Sequence, residues 1–405
     1  MSRTMIRIVA AVAAAAVAAT GCSDDKQPAQ PSVDLAALNT GNYPTTPRTF
    51  ETEGTDAQGV AREARRIANH VILALDVDPK LTNSVVTNQH IVRPAANGKT
   101  RIADEEFPGN APGFVVGWIS SGQRRISAEN GKRVDLYVLR FTDDANAAKT
   151  AANMEASDLR QHSYYKPLEL SKPDGAHAHW GEDPGTHKAE GAAWLAVGSY
   201  VIGVSVADPF LIPAAAQPLG DLLSAVLEQQ KAQLESLEPT PVDEMKSLPA
   251  DRDGLLGRTL VVDPTKKEDP EAGVYDLAGM LHFSKTPARL ESLFKDAGVD
   301  IVALNDAIVA RAKDTASAND LQSNWVERYA DEREPIDPPP GLPNAKCDAT
   351  KPASAEGSSS SSSDDDKKTY TCTIAFDRYV ASIAAAQQED VYQRTAAQYK
   401  LLAAQ

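Results

Sequence analysis

The sequence predicts an α+β protein of two tandem, duplicated domains, each a small antiparallel sheet with helices packed on one face. Two observations carry this prediction. Each half of the chain shows the order strand, helix, hairpin, helix, and such mixed patterns fold into layers of sheet and helix. The 405 residues are 42% hydrophobic and 24% charged, enough for two ordinary domains with cores. We expect a first domain over 34–237, a proline-containing linker over 238–254 and a second domain over 255–405.

The first half alternates β-rich runs with helical ones. Val, Ile and aromatic residues mark the strands, and Gly198-Ser199 between two such runs is a hairpin signal. Asp143 or Asp144 can cap the helix that follows the second strand. The predicted elements are a helix over 57–75, strands over 114–119 and 134–141, a helix to about residue 159, a hairpin over 193–197 and 200–206, and a helix over 219–237.

The second half repeats local spacings of the first. The pattern Arg-x-x-Asp-x-Ala-x-Ala begins at Arg140 and again at Arg311, and a Tyr-Val pair follows each hairpin turn, at Tyr200 and at Tyr379. The shared order of elements, more than these few identities, predicts the duplication. The predicted elements are a strand over 280–283, helices over 287–297 and 315–329, the second capped by Asp314, a hairpin over 370–376 and 379–383, and a helix over 388–402.

The first 22 residues predict export and lipid attachment. A basic start with Arg3 and Arg7, an apolar run over 8–19 and small residues before Cys22 are typical of a signal peptide. The run is too short for the ~20 residues of a membrane-spanning helix. A cysteine directly after small residues predicts a bacterial lipoprotein, with a signal peptide over 1–21, acylated Cys22 and a tether over 22–33. The alternative is an ordinary signal peptide with a chance cysteine.

The net charge of the chain limits the kinds of partner that it can bind. The formal net charge is −15, and removing Arg3 and Arg7 with the signal peptide makes it −17. Such an acidic body repels nucleic acid and anionic lipid surfaces. Membrane attachment must therefore come from acyl chains such as palmitate, of which two or more give a stable hold. We expect a lipid-anchored protein on the extracytoplasmic face of the cell membrane, with no nucleic-acid partner.

The two remaining cysteines predict a disulfide. In an exported protein, Cys347 and Cys372 form an even pair once Cys22 carries the lipid. Between them a Ser/Asp-rich insertion at about 350–369, with serines over 358–363, is too polar to bury a core and predicts disorder. The bridge should stabilise the fold by roughly 3 kcal/mol. The alternative, a two-cysteine metal site, has no nearby histidine to complete it.

Three segments carry a resemblance to a known family. They are 38–48 (LNTGNYPTTPR), 379–381 (YVA) and 393–399 (QRTAAQY). The chain resembles, over nearly its whole mature length, a family of lipoproteins of unknown function from mycolic-acid-bearing actinobacteria such as mycobacteria, nocardiae and rhodococci. This resemblance implies a cell-envelope location and supplies no activity or catalytic residue. A fold-level likeness to extracytoplasmic sensor and ligand-binding modules is analogy only.

A histidine cluster is the best candidate for metal chemistry. His177 and His179 lie on one side of an extended segment, and His187 follows in a loop, with Glu182 and Asp183 nearby. Neutral imidazoles and a carboxylate are ligands that Zn²⁺ takes. The three histidines are therefore candidate ligands for zinc, and we otherwise expect no cofactor. The surrounding glycines and prolines also fit a surface loop in which the histidines are merely solvated.

Other residues give weaker signals. Ser205 lacks the second glycine of an esterase elbow, and we predict no catalytic residue. Arg140 and Arg311 are either anion anchors or structural ion pairs. The large aromatic residues form core, or line a groove for an apolar ligand; they are Trp118, Trp194, Tyr200, Phe283, Trp325 and Tyr379.

These observations favour a non-enzymatic lipoprotein of the envelope. It would bind a small or lipidic ligand, or an envelope protein. Two alternatives stay open: an exported metal-dependent enzyme that uses His177, His179 and His187, and a structural scaffold of the envelope.

Overall fold

The computed structural model describes residues 33–86, 88–93, 107–124, 131–328, 330–351 and 368–404. Within them the chain forms two seven-stranded antiparallel sheets, one in each half. This confirms the predicted α+β class and the two tandem domains. The predicted signal peptide, Cys22 and the predicted tether up to residue 32 lie outside the described residues, as do residues 352–367 of the Ser/Asp-rich insertion.

In its described residues, the first domain contains seven strands and four helices. The strands are β1 (Ile91–Val92), β2 (Phe114–Gln123), β3 (Arg133–Phe141), β4 (Lys166–Pro167), β5 (His177–Glu182), β6 (Ala189–Val197) and β7 (Tyr200–Asp208). The helices are α1 (Asp56–Ala68), α2 (Phe107–Asn110), α3 (Asp144–Gln161) and α4 (Ala216–Leu234). The sheet order is β1-β2-β3-β7-β6-β5-β4.

The second domain has the same numbers of strands and helices among the described residues. The strands are β8 (Gly273–Asp276), β9 (Ile301–Leu304), β10 (Ala307–Arg311), β11 (Arg333–Ile336), β12 (Lys346–Thr350), β13 (Tyr370–Phe376) and β14 (Tyr379–Ala385). The helices are α5 (Leu277–Leu281), α6 (Pro287–Asp296), α7 (Thr315–Glu327) and α8 (Gln388–Ala403). The sheet order is β8-β9-β10-β14-β13-β12-β11.

The two sheets share one topology. Counted along each half, both have the strand order 1-2-3-7-6-5-4. The registers also correspond, because Arg140 lies opposite Tyr200 in the first sheet and Arg311 lies opposite Tyr379 in the second. The matched spacings in the sequence therefore occupy equivalent places, as a duplicated unit requires.

Equivalent aspartates start the helix that follows the third strand of each sheet. The Asp143 carboxylate accepts from the backbone N–H of Asn146 at 2.8 Å, and Asp314 accepts from Ser317 at 2.7 Å. These backbone hydrogen bonds hold the pKa of both carboxyls below the usual range. Each satisfies a helix donor that would otherwise lack a partner, so α3 and α7 begin where the sequence predicts.

Two predicted elements differ from the structure. The first helix ends at Ala68, with a separate short 3₁₀ turn over Ala74–Asp76, rather than running to 75. The predicted strand over 280–283 is wrong, because this run belongs to α5 and the turn after it. A short run such as Met-Leu-His-Phe, with three large apolar residues, is compatible with either a strand or a buried helix.

The helices pack on both faces of each sheet rather than on one. Alternate residues of a strand point to opposite faces. In the first domain, α3 packs on the face with Leu139 and Val201, whereas α4 packs on the face with Val138 and Ile202. In the second domain, α7 and α8 cover opposite faces in the same way.

One hydrophobic cluster contains residues of both domains. Trp118 and Tyr275, one from each domain, are both fully buried, with ring centroids 6.2 Å apart. His90 stacks on Trp118 with centroids 4.9 Å apart, and the Glu271 carboxylate accepts from the backbone N–H of Ile91 at 3.1 Å. The domain contact therefore combines buried aromatic side chains with hydrogen bonds.

The predicted linker packs on α1. A 3₁₀ helix over Val242–Ser247 lies within it, and the Lys246 carbonyl accepts hydrogen bonds from the Gly54 backbone and the Arg62 guanidinium. No helix among the described residues is long and apolar enough to cross a membrane.

Candidate functional site

A groove on the second domain is the candidate functional site. It has a volume of about 530 Å³, within the range of small-molecule sites. It opens between α6, α7 and the face of the sheet on which α7 packs. Its lining combines aromatic, hydroxyl-bearing and charged side chains, among them Phe283, Leu290, Phe294, Ile308, Trp325, Arg289, Arg328, Arg333, Asp348, Thr371, Thr373, Ser382 and Ala384.

Strand register places small hydroxyl residues on the floor of the groove. Thr373 lies opposite Ser382, and Thr371 lies opposite Ala384. Because side chains alternate along a strand, the intervening Cys372 points to the other face, into the core beneath α8. The floor is therefore lined by short side chains that leave room above them.

The first domain fills the equivalent space with an indole. Measured from the hairpin turn of each sheet, the Trp194–Gly203 pair occupies the place of Thr373 and Ser382. The Trp194 ring lies directly over Gly203, where a Cβ would collide with it, and its Nε1 donates to Asp158 at 3.1 Å. Replacing this tryptophan and glycine by threonine and serine is what opens the groove in the second domain.

One wall of the groove is apolar. The rings of Phe294 and Trp325 contact each other, with centroids 5.2 Å apart. Leu290 and Ile308 extend this surface. Aromatic and aliphatic side chains of this kind cover the apolar part of a ligand.

The other wall carries cations that are held in place. Arg328 donates to the hydroxyls of Ser284 and Thr286 at 3.0 and 3.1 Å. Arg333 donates to the Asp348 carboxylate at 2.5 Å and to the Thr371 hydroxyl. These contacts fix both guanidinium groups at the groove.

The rim adds two further cations. Lys285 and Arg289 are exposed at the groove. The lining thus has four cationic residues and two carboxylates, Glu332 and Asp348. This local excess of positive charge contrasts with the net charge of −15 for the whole chain.

The structure does not bring the three predicted metal ligands together. His177 lies 3.1 Å from Glu155, His179 lies 3.7 Å from Asp158, and His187 lies 3.0 Å from Glu182. Although His177 and His179 share one side of β5, His187 sits at the far end of the β5–β6 hairpin. Among the described residues, no group of three or more His, Cys, Asp or Glu side chains could hold a metal ion.

His179 is instead a buried neutral histidine. Only 1% of it is exposed, and its ring lies against Tyr165 with centroids 4.5 Å apart. Burial, with the nearby His162 adding to it, lowers the pKa of His179 to about 4. Its spacing from His177 follows from the two-residue repeat of a strand, not from a shared ligand.

Both predicted arginines are in ion pairs. Arg140 lies 2.5 Å from Glu63, and both side chains are almost fully buried. Arg311 lies 2.5 Å from Asp300 and 2.7 Å from Asp253. Of the two roles that the sequence allowed, the structure therefore shows that of an ion pair for both arginines.

The disulfide joins neighbouring strands. Cys347 and Cys372 are bonded and lie directly opposite each other on β12 and β13. The bond closes the hairpin whose connection contains the Ser/Asp-rich insertion.

The predicted aromatic residues divide between core and groove. Trp118 lies at the domain interface, Trp194 lies over Gly203, and Tyr200 is buried in the first-domain core. Phe283 and Trp325 line the groove. Tyr379 packs at the edge of the α8 core.

Sequence reasoning missed the polar floor of the groove. Thr371, Thr373 and Ser382 attracted no attention as single residues. The signal was in the comparison of the two hairpins. Thr373 and Ser382 stand where the first hairpin carries Trp194 and Gly203.

The fold and groove define a tandem α+β protein with a ligand-sized cleft in one of two equivalent sheets. The chain belongs to the family described as Domain of unknown function (DUF7373), whose N-terminal model matches residues 50–250 and whose C-terminal model matches residues 255–405. No curated protein and no solved structure gives a significant match.

Proposed function

We propose that this protein is an exported lipoprotein of the actinobacterial envelope that binds a small amphiphile in the second-domain groove. Cys22 would carry the acyl chains and hold the two domains on the outer face of the cytoplasmic membrane. The single observation that supports the binding function is a groove with an aromatic wall, a hydroxyl-lined floor and a cationic rim.

The groove chemistry favours a ligand with two unlike parts. An acyl or other apolar group would contact Phe294 and Trp325, since apolar surface gains about 25 cal/mol per Å² removed from water. An anionic or hydroxyl-rich head would face Arg289 and the floor hydroxyls. A purely polar ligand would leave the aromatic wall without a partner.

Binding of an anionic fluorescent amphiphile tests this proposal. We would titrate the full-length protein, solubilised in mild detergent, with 1-anilinonaphthalene-8-sulfonate and compete it with short-chain fatty acids and lysolipids. The Ala384→Trp variant should fill the groove, because Ala384 is exposed on its floor. We expect its affinity for the probe to fall about tenfold or more, which corresponds to about 1.4 kcal/mol.

Ala232→Trp is the matched control. Ala232 is an exposed residue of α4 in the first domain, so its substitution adds the same indole far from the groove and should leave affinity unchanged. Arg289→Gln should weaken binding several-fold, whereas Lys149→Gln, which removes one exposed cation from α3, should not. Equal affinities for wild type and Ala384→Trp would refute the assignment of the groove.

The anchoring part of the proposal has a separate test. Cys22→Ala should move the protein from the membrane fraction to the soluble exported fraction, because the acyl chains would be lost and a body with a net charge of −15 is repelled by an anionic surface. Retention of this variant in the membrane fraction would contradict acylation as the anchor, without bearing on the groove.

A further inference from the structure

We infer that a second cavity, lined by arginines at the junction of the two domains, binds a small phosphate-bearing anion. The cavity has a volume of about 210 Å³. It is formed by α1, the segment before α1, the residue after β1, and the 267–272 segment of the second domain. It is separate from the groove, since the two linings share no residue.

Three arginines converge on this cavity. Arg62 and Arg65 lie one helical turn apart on α1, and Arg93 follows β1. Positions three apart lie on the same side of a helix, so the first two guanidinium groups reach the cavity together. Planar guanidinium groups match the oxygens of phosphate in a two-pronged geometry.

Arg62 and Arg65 are fixed by backbone carbonyls. Arg62 Nη1 donates to the carbonyls of Lys246 and Leu248 at 2.9 and 2.7 Å, and Arg65 Nη1 donates to that of Pro270 at 2.9 Å. The Arg65 stem also lies over Gly273, where a Cβ would collide with it. The charges are thus positioned without any ligand.

Arg93 lacks such a partner. Its Nη2 is buried and has no hydrogen-bond partner among the described residues. A buried guanidinium donor without an acceptor is costly, and an anion in the cavity would supply that acceptor. The nearby Asp269 and Glu271 carboxylates oppose the lowering of the Arg93 pKa by burial, but among the described residues neither accepts a hydrogen bond from Nη2.

The charges around the cavity favour an anion. With Lys267, four cationic side chains line the cavity, whereas only two carboxylates do, those of Glu268 and Asp269. Glu268 also lies 3.4 Å from Arg48. Burial lowers the pKa of Arg65; Tyr275 and the Glu268 carboxylate oppose this effect, and the nearby charges of Arg62 and Arg93 add to it. A bound dianion would relieve this repulsion.

The size of the cavity limits the ligand. Its volume far exceeds the ~15 Å³ that one water requires, but it is less than half that of the groove. Phe50, Leu256 and Ala272 line its apolar part. Inorganic phosphate or a small phosphate monoester fits, and the phosphate of a lipid headgroup is a third source of the same chemistry.

Calorimetric titration in a phosphate-free buffer tests the inference. Inorganic phosphate, glycerol 3-phosphate and a short-chain phosphatidate below its micelle concentration are titrated separately into wild type. We expect saturable binding of at least one of them. The best ligand identifies the source, and preference for the phosphatidate would assign the cavity to a lipid headgroup. No saturable binding of any probe up to roughly 10 mM, where a Kd of about 1 mM would be evident, would overturn the proposal.

Arg93→Gln is the decisive variant, because it removes no hydrogen bond that Nη2 makes among the described residues. It should weaken phosphate binding about tenfold or more, as expected for losing a charged hydrogen bond, and Arg65→Met should do the same. Lys149→Gln should bind phosphate like wild type. Unchanged binding by folded Arg93→Gln would refute the site.

A cross-measurement separates this inference from the proposed function. Arg93→Gln should bind the anilinonaphthalene probe as wild type does, because Arg93 is not part of the groove. Loss of phosphate binding with intact probe binding would support two independent sites. Loss of both in parallel would instead indicate a general defect of the fold and count against an anion site at Arg93.

Discussion

Acid should destabilise this protein through His282, which is buried where the two domains meet. Only 1% of His282 is exposed. Its Nε2 lies 3.2 Å from the Val71 carbonyl and its Nδ1 lies 3.1 Å from the Ser120 hydroxyl. A neutral ring satisfies both contacts, with Nε2 donating to the carbonyl and Nδ1 accepting from the hydroxyl.

Burial, with the nearby His90 adding to it, lowers the pKa of His282 from 6.5 to about 3. Between these two values the unfolded chain binds a proton that the folded chain does not. Stability from this group is therefore complete above pH 6.5 and is lost as the pH falls toward 3. At pH 5 the loss in the free energy of unfolding is about 2 kcal/mol relative to pH 8.

Urea unfolding at pH 8 and pH 5 measures this loss. The His282→Gln variant keeps a donor for Val71 but cannot be protonated, so its loss between the two pH values should be about 2 kcal/mol smaller than that of wild type. His187→Gln is the control, since His187 has an exposed side chain and should leave the pH dependence unchanged. Equal pH dependences for His282→Gln and wild type would refute the reasoning.

Three further predictions concern stability. Glu63→Gln leaves Arg140 buried without a carboxylate and should lower the free energy of unfolding in urea by about 3–5 kcal/mol. Replacing both residues with apolar ones should lower it by less. An equal or larger loss in the double variant would contradict a desolvated ion pair. Gly203→Ala should lower the melting temperature because the added Cβ collides with Trp194. Ser382→Ala at the equivalent position of the second sheet should not lower it. Similar shifts in the melting temperatures of the two variants would argue against different packing of the two sheets. Reducing the Cys347–Cys372 bond should lower the free energy of unfolding by roughly 3 kcal/mol. The double variant Cys347→Ser with Cys372→Ser should be as stable as the reduced protein. A larger loss in the double variant would show that packing of the sulfur atoms, rather than the cross-link, stabilises the fold.

Local signals in the sequence predicted much of the fold. Gly198-Ser199 sets a tight hairpin by its own conformational preferences, and Asp143 and Asp314 cap helices through hydrogen bonds three residues away. These interactions depend on few neighbours, so they are readable in a single sequence. The shared order of elements also predicted the tandem arrangement.

The site could not be read in the same way. The groove depends on the pairing of Thr373 with Ser382 on neighbouring strands and on the part of the sheet face that α7 does not cover. The spacing of residues in the sequence determines neither of these. The domain interface pairs His90 with His282, 192 residues apart in the chain. The predicted metal site was wrong for a different reason. His177 and His187 are close in sequence, but β5 runs between them, so they lie at opposite ends of the hairpin.

Native mass spectrometry of protein extracted from the envelope in mild detergent tests the central claim most directly. Wild type should carry the added mass of one amphiphile, and that mass should be absent from Ala384→Trp but present in Ala232→Trp. The same adduct on wild type and Ala384→Trp, or none on wild type, would contradict ligand binding in the second-domain groove.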